Sequence, residues 1–249
     1  MCAHVLNFRF IFCELKLYLM VSEHVRANLA KKIIDWYADN GRTNLPWRTT
    51  KNPYKVLITE LMLQKTHAVQ QVLPVYAEFF RNYPNIETLS KAKIRDVKKV
   101  IESLGLQNTR SRRLKELGSV VCERFNGKIP RRKDDLVSLP GVGEYIANAV
   151  LCIAFDEPRP MVDANFGRVL GRVFYGKEEY PPSRNRTWRI ASDLLPEIGF
   201  KEFNLGVIDL GALVCTPKAP HHEICPISEE CRFFKSLQQD GRDQKKPSN

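Results

Sequence analysis

What this chain lacks narrows it first. No apolar run reaches the roughly 20 residues that a transmembrane helix requires. The most apolar stretch, residues 1–21, is broken by Arg9, Glu14 and Lys16. It also lacks the charged-then-apolar layout of a secretory signal. It reads as a poorly specified extension, with Met20 as an alternative initiator. No strand-like alternation and no internal repeat is present, which excludes sheet and repeat architectures. Acidic residues are scarce: 28 Asp and Glu face 39 Lys and Arg, a formal net charge of +11. Basic side chains that displace counterions from phosphates supply sequence-independent affinity for a polyanion. Composition alone fits a merely basic protein equally well. The seven cysteines are odd in number, and three of them crowd into 215–231. That pattern opposes a disulfide framework and suits a metal site in a reducing compartment. With 43% hydrophobic and 27% charged residues, the chain is not of the disordered class. Its 249 residues suffice for one large or two small domains.

What is present reads as helix throughout. Ser22 makes a suitable N-cap, and Val25, Leu29, Ile33 and Tyr37 recur at helical spacing until Gly41 and the Leu45-Pro-Trp-Arg48 segment close the helix. Asn52-Pro53 opens a second helix through Leu63. Further helices are expected over about 69–82, 93–104, 110–125, 134–138, 142–155, 163–174, 184–195 and 202–214. A polar tail with Arg242, Lys245 and Lys246 follows. Glu60 is the oddity of the second helix. Its neighbours one turn away are Val56, Leu57, Leu63 and Gln64, so its carboxyl lies on a mainly apolar face. Burial there raises its pKa. Such a group either bonds a buried backbone atom or points into a cleft towards a ligand.

The stretch Leu139-Pro-Gly-Val-Gly143 organises the chain. Pro140 pre-sets its own φ, and Gly141 and Gly143 are expected to take φ values that other residues resist. A short helix before this turn and a longer one after it expose backbone N–H groups in one direction, which suits phosphate. A lone Gly-x-Gly turn is equally a plain helix–helix connection. Asp163 stands at a helix start, where an Asp serves as an N-cap.

Leu-Pro-Gly-Val-Gly, a helix, and then Val162-Asp-Ala-Asn-Phe166 resemble the helix-hairpin-helix DNA glycosylases of the endonuclease III and MutY superfamily, over about residues 35–231. The resemblance implies an all-α fold of two helical lobes with a DNA cleft between them. One lobe would be a helical barrel over 45–155 with the hairpin. The other would join 22–44 to 156–235 and carry a C-terminal iron–sulfur loop, leaving 236–249 as a mobile tail. It implies a base flipped out of the duplex. Asp163 would stabilise the positive charge that develops on the deoxyribose. Glu60 would contact the flipped base. Leu106, in the turn Leu104-Gly-Leu-Gln-Asn108, would wedge into the DNA stack. Gln64 or Lys65 would help fill the hole, and Gly141 and Gly143 would meet the phosphate backbone.

In relatives that also nick the strand, a lysine stands where this chain has Tyr145; its amine forms a Schiff base. A tyrosine hydroxyl is a poor substitute, so the resemblance implies a monofunctional enzyme that leaves an abasic site. The base removed would be T or U opposite G. Removal of A opposite G or 8-oxoguanine stays open, because residues 58–66 also resemble MutY. The chain ends soon after its cysteines, leaving no room for the second domain usual in MutY enzymes. A non-catalytic DNA clamp is the third reading. Cys215-x6-His222-x2-Cys225-x5-Cys231 matches the superfamily's four-cysteine ladder, except that His222 replaces the second cysteine. A [4Fe–4S] cluster with one imidazole ligand, a Cys3His zinc site and a degenerate site without metal all fit. The expected partner is double-stranded DNA with a mismatched or damaged base, bound by a monomer in the cytoplasm or nucleoid, with no membrane.

Overall fold

The computed structural model describes residues 23–66, 68–176, 184–239 and 241. The extension at 1–21, the Ser22 cap and residues 242–249 of the expected tail lie outside the described residues. Among the described residues the chain is helical, with no strand. It divides into two compact units, Arg42–Asp163 and a discontinuous unit formed by Met1–Gly41 with Ala164–Asn249. No helix among the described residues is long and apolar enough to cross a membrane.

Helix α1 (Glu23–Asn40) belongs to the discontinuous unit. Leu29, Ile33 and Tyr37 of its periodic stripe are buried, while Val25 is exposed. The unit Arg42–Asp163 begins with the short α2 (Pro46–Thr49), a helix of its own where a closing segment was expected, started by Pro46 in the first turn. Helix α3 (Pro53–Leu63) follows, with Pro53 in its first turn and the Asn52 side chain accepting from the Lys55 N–H. A π-helical stretch Ala68–Val72 leads into α4 (Leu73–Asn82). Next come α5 (Ile86–Lys91), capped by Asn85, and α6 (Ile94–Val100). The single helix expected over 93–104 breaks at Ile101 into a 3-10 turn, Glu102–Leu104. The unit closes with α7 (Gln107–Phe125), α8 (Lys133–Val137) and α9 (Glu144–Phe155).

Every residue from Val56 to Met62 of α3 is buried, and so is every residue from Ile146 to Ile153 of α9. The two helices pack against each other as the centre of this unit. Beside them Trp47, Tyr54, Tyr76, Phe79, Phe80 and Tyr83 form an aromatic cluster with ring centroids 4.8–5.7 Å apart. Helix α7 packs on α5 and α6. Gly118 sets the approach to α5, since a Cβ there would stand 2.9 Å from the Ser90 backbone nitrogen.

In the discontinuous unit, α10 (Ala164–Leu170) starts one residue later than expected and widens into a π-helical turn, Gly171–Tyr175. Helix α11 (Arg184–Leu194) and α12 (Phe200–Leu213) follow, then a 3-10 turn at His222–Ile224 and α13 (Arg232–Gln239). Helix α13 reaches into the span expected as tail. Helix α12 is the buried centre, packed on both α1 and α10. Gly206 lets α1 approach it, because a Cβ would meet Ile33 Cγ2 at 2.8 Å.

Candidate active site

Because α3 is buried on all sides from Val56 to Met62, it carries Glu60 into the protein with it. The residue is 5% exposed. The Tyr145 hydroxyl, from the first turn of α9, donates to the Glu60 carboxyl, whose Oε2 is buried without a hydrogen-bond partner. Burial pushes the Glu60 carboxyl up to about 7, and the nearby Asp163 carboxylate adds to the rise. The Tyr145 hydroxyl and the Arg48 guanidinium act in the opposite sense. Burial, followed by the Glu60 and Asp163 charges, holds the Tyr145 hydroxyl well above its usual value of 10. Tyr145 is therefore a neutral donor at working pH. Asp163 is half-buried and directly precedes α10.

Three residues singled out separately in the sequence thus form one electrostatic cluster, joined by a fourth. Arg48 was missed. It is 7% exposed, on the short α2 beside buried Trp47. The only signal was an arginine in an otherwise apolar Leu-Pro-Trp-Arg segment.

The hairpin between α8 and α9 closes with the Val142 N–H donating to the Leu139 carbonyl at 3.1 Å. Gly141 has φ +80°, so only glycine sits there without strain, and a Cβ would also collide with the Arg113 side chain. Gly143 corrects the expectation made for it. Its φ of −96° and ψ of 179° are open to any residue, and a Cβ would meet nothing within 4 Å. Nothing among the described residues demands glycine there. Glu144 pairs with Lys133 across the hairpin at 2.6 Å.

The turn before α7 is strained. Gly105 has φ 69°, and Leu106 is itself left-handed at φ 51° and 62% exposed. A left-handed non-glycine residue costs about 1–2 kcal/mol, and exposure of its side chain returns nothing. Four residues later, buried Arg110 donates to the carbonyls of Leu61, Met62 and Gln64 at the end of α3, and also to Gly105 at 3.5 Å. The Gln64 side chain donates to the Gly141 carbonyl at 3.2 Å. Lys65 is exposed and left-handed, φ 56°. Arg110 thereby gathers Leu106, Gln64 and Lys65, and Gln64 links them to the hairpin. Arg110 and Arg113 also escaped the sequence reading.

The discontinuous unit holds the cysteine ladder. Cys215, His222, Cys225 and Cys231 all line one small, mainly apolar cavity, together with Arg172 from the π-helical turn. All five described cysteines are free thiols. Burial raises the thiols of Cys225 and Cys231, and the Cys215 charge acts on both. The His222 ring stacks on Phe234, centroids 4.5 Å apart. Arg172 donates to Cys215 Sγ at 3.2 Å and to the carbonyls of Thr216 and Pro217. Among the described residues, no three His, Cys, Asp or Glu side chains converge closely enough to hold a metal ion. Three thiols and an imidazole are a donor set that both a zinc ion and an iron–sulfur cluster accept.

The model of the "HhH-GPD superfamily base excision DNA repair protein" family matches residues 58–197. The thymine/uracil-DNA glycosylase of Pyrobaculum aerophilum is 41% identical over 208 residues, covering 81% of this chain and 90% of that one. The adenine DNA glycosylase of Buchnera aphidicola is 35% identical, covering 82% of this chain but 58% of that protein. The solved structure of a thermostable thymine-DNA glycosylase superposes with a TM-score of 0.80 at 35% identity, covering 87% of this chain and 99% of that one. This chain belongs to the HhH-GPD superfamily of base excision DNA repair proteins.

Proposed function

We propose that the chain is a monofunctional DNA glycosylase that removes T or U mispaired with G. The observation that carries this reading is the buried Glu60–Tyr145 pair beside Asp163 and Arg48. In the proposed step, the bond between the flipped base and C1′ breaks and its electron pair leaves on the base. Ionised Asp163 offsets the positive charge left on the sugar. Glu60 in its protonated form donates to the departing pyrimidine, with Tyr145 holding it in place. Water then adds to C1′, and its proton passes to a carboxylate. Tyr145, neutral and hydrogen-bonded, supplies no amine for a Schiff base, so the product is an intact abasic site.

The exposed, left-handed Leu106 is the wedge in this reading, with Gln64 and Lys65 beside it. The open space over Gly143 admits a phosphate. The site of action is DNA inside the cell, reached by a monomer. Residues Cys215, His222, Cys225 and Cys231 would hold a [4Fe–4S] cluster, whose contribution is to clamp the loop they share.

Residues 58–66 and the adenine glycosylase relative keep adenine removal as the second reading. A plain DNA clamp would gain nothing from a costly buried carboxyl. The deciding experiment is an excision assay on duplexes bearing T or U opposite G and A opposite 8-oxoguanine, each with and without alkali. Cleavage of T·G and U·G duplexes only after alkali supports the proposal. Preference for A opposite 8-oxoguanine moves the chain to the second reading. No excision of any base leaves the clamp.

A further inference from the structure

The segment that carries Asp163 has no helix or strand of its own from Asp156 to Asp163. It must nevertheless present its last carboxylate to Glu60 and Tyr145 at a fixed place. Two attachments hold its near end. After Asp156 ends α9 in a left-handed conformation, the Glu157 N–H donates to the Leu151 carbonyl at 3.0 Å, and the Glu157 carboxylate pairs with Arg131. Nearer Asp163, one side chain reaches across: Asn148 Nδ2, from α9, donates to the Pro160 carbonyl at 2.8 Å. Beyond that bond, Met161 and Val162 are buried, leaving Asp163 to emerge.

Asn148 is 2% exposed, and its Oδ1 is buried without a hydrogen-bond partner. A buried amide oxygen without a partner costs stability and offsets part of what the Asn148–Pro160 bond contributes. What the amide does supply is registration. Asn148 lies three residues after Tyr145 on the same helix, one turn along the same face. The helix that fixes the Tyr145 hydroxyl against Glu60 thus also fixes the peptide three residues before Asp163.

We infer that Asn148 is a positioning residue for the glycosylase reaction, setting the distance between the Tyr145–Glu60 pair and the Asp163 carboxylate through the Pro160 carbonyl. The inference rests on the glycosylase reading above. Misplacement of a catalytic group by about 1 Å costs up to about 100-fold in rate without weakening substrate binding.

The test is single-turnover excision, duplex affinity and thermal unfolding of the full chain carrying Asn148→Leu. The expected result is a 10- to 100-fold slower excision step by the folded protein and unchanged affinity for the mismatched duplex. A merely structural Asn148 would leave the excision rate of the folded fraction intact whatever the midpoint, which overturns the inference. Should Asn148→Leu not fold, Asn148→Asp decides. Its neutral acid can donate to Pro160, whereas its carboxylate cannot, so its excision rate relative to wild type should fall as pH rises while circular dichroism stays native. A flat ratio overturns the inference. Asp163→Asn separates the two levels. If that variant is inactive while Asn148→Leu cuts normally, only this inference fails; if Asp163→Asn remains active, the role given to Asp163 fails as well; if the wild-type chain excises no base, the glycosylase reading itself fails.

Discussion

Glu60 shows why a carboxyl on an apolar helix carries a testable pH signature. In the folded protein its pKa is raised to about 7 from 4.5, chiefly by burial. Between those values the folded state keeps a proton that the unfolded state has lost. Glu60 therefore contributes least to stability above about pH 7, and its contribution grows as the pH falls towards 4.5. Glu60→Gln should gain stability relative to wild type at about pH 8 compared with about pH 5, by an amount on the order of 3 kcal/mol. Paired urea titrations at the two pH values check this, and a pH-independent difference would contradict it. The same protonation should govern rate. Excision should decline as pH rises through about 7, and the inflection should vanish in Glu60→Gln. Asp163 acts on charge rather than on affinity, so Asp163→Asn should lose base removal while duplex binding, measured by gel shift, stays near wild type. Tyr145 predicts a chemical absence: borohydride should trap no enzyme–DNA adduct. A trapped adduct would show that some amine reaches the sugar.

At the scale of elements, the hairpin separates two glycines that look alike in the sequence. Gly141→Ala meets both a positive φ and the Arg113 side chain, and should destabilise by about 1–3 kcal/mol. Gly143→Ala meets neither and should unfold like wild type, yet bind duplex DNA more weakly if a phosphate approaches its open face. Thermal unfolding beside a binding titration measures both, and equal stability losses would refute the distinction. This contrast marks the limit of sequence reading. The hairpin, the long helices and the burial of Glu60 on an apolar face were legible, because periodicity and Gly-Pro chemistry are local. The six-residue α5, the 3-10 break after α6 and the π-helical turn at 171–175 were not, because too few residues carry a period. Arg48, Arg110 and Asn148 were illegible for another reason. Each acts on groups outside its own helical turn: Arg110 on carbonyls 46 to 49 residues before it, Asn148 on a carbonyl 12 residues after it, and Arg48 on the Glu60 carboxyl 12 residues after it.

At the scale of the whole molecule, the cysteine ladder poses the sharpest question, because His222 replaces a thiolate with a neutral ligand. Its ring is fixed by stacking on Phe234, and Arg172 already bonds Cys215 Sγ, so the cavity has both a rigid imidazole and a buried cation. Three thiolates and one imidazole leave the site one negative charge short of the four-cysteine arrangement. A cluster held this way should accept an electron more readily and lose iron faster in acid. Protein purified without oxygen should be yellow-brown and contain about four irons per chain. His222→Cys restores the missing charge, so its cluster should survive acid and air longer and be harder to reduce. His221 also lines the cavity but falls outside the ladder spacing, so His221→Ala should leave iron content unchanged. Iron analysis, absorption spectra and a reductive titration of the three proteins decide the matter. One zinc per colourless chain would favour the Cys3His site, and full activity without metal would exclude any need for the cluster.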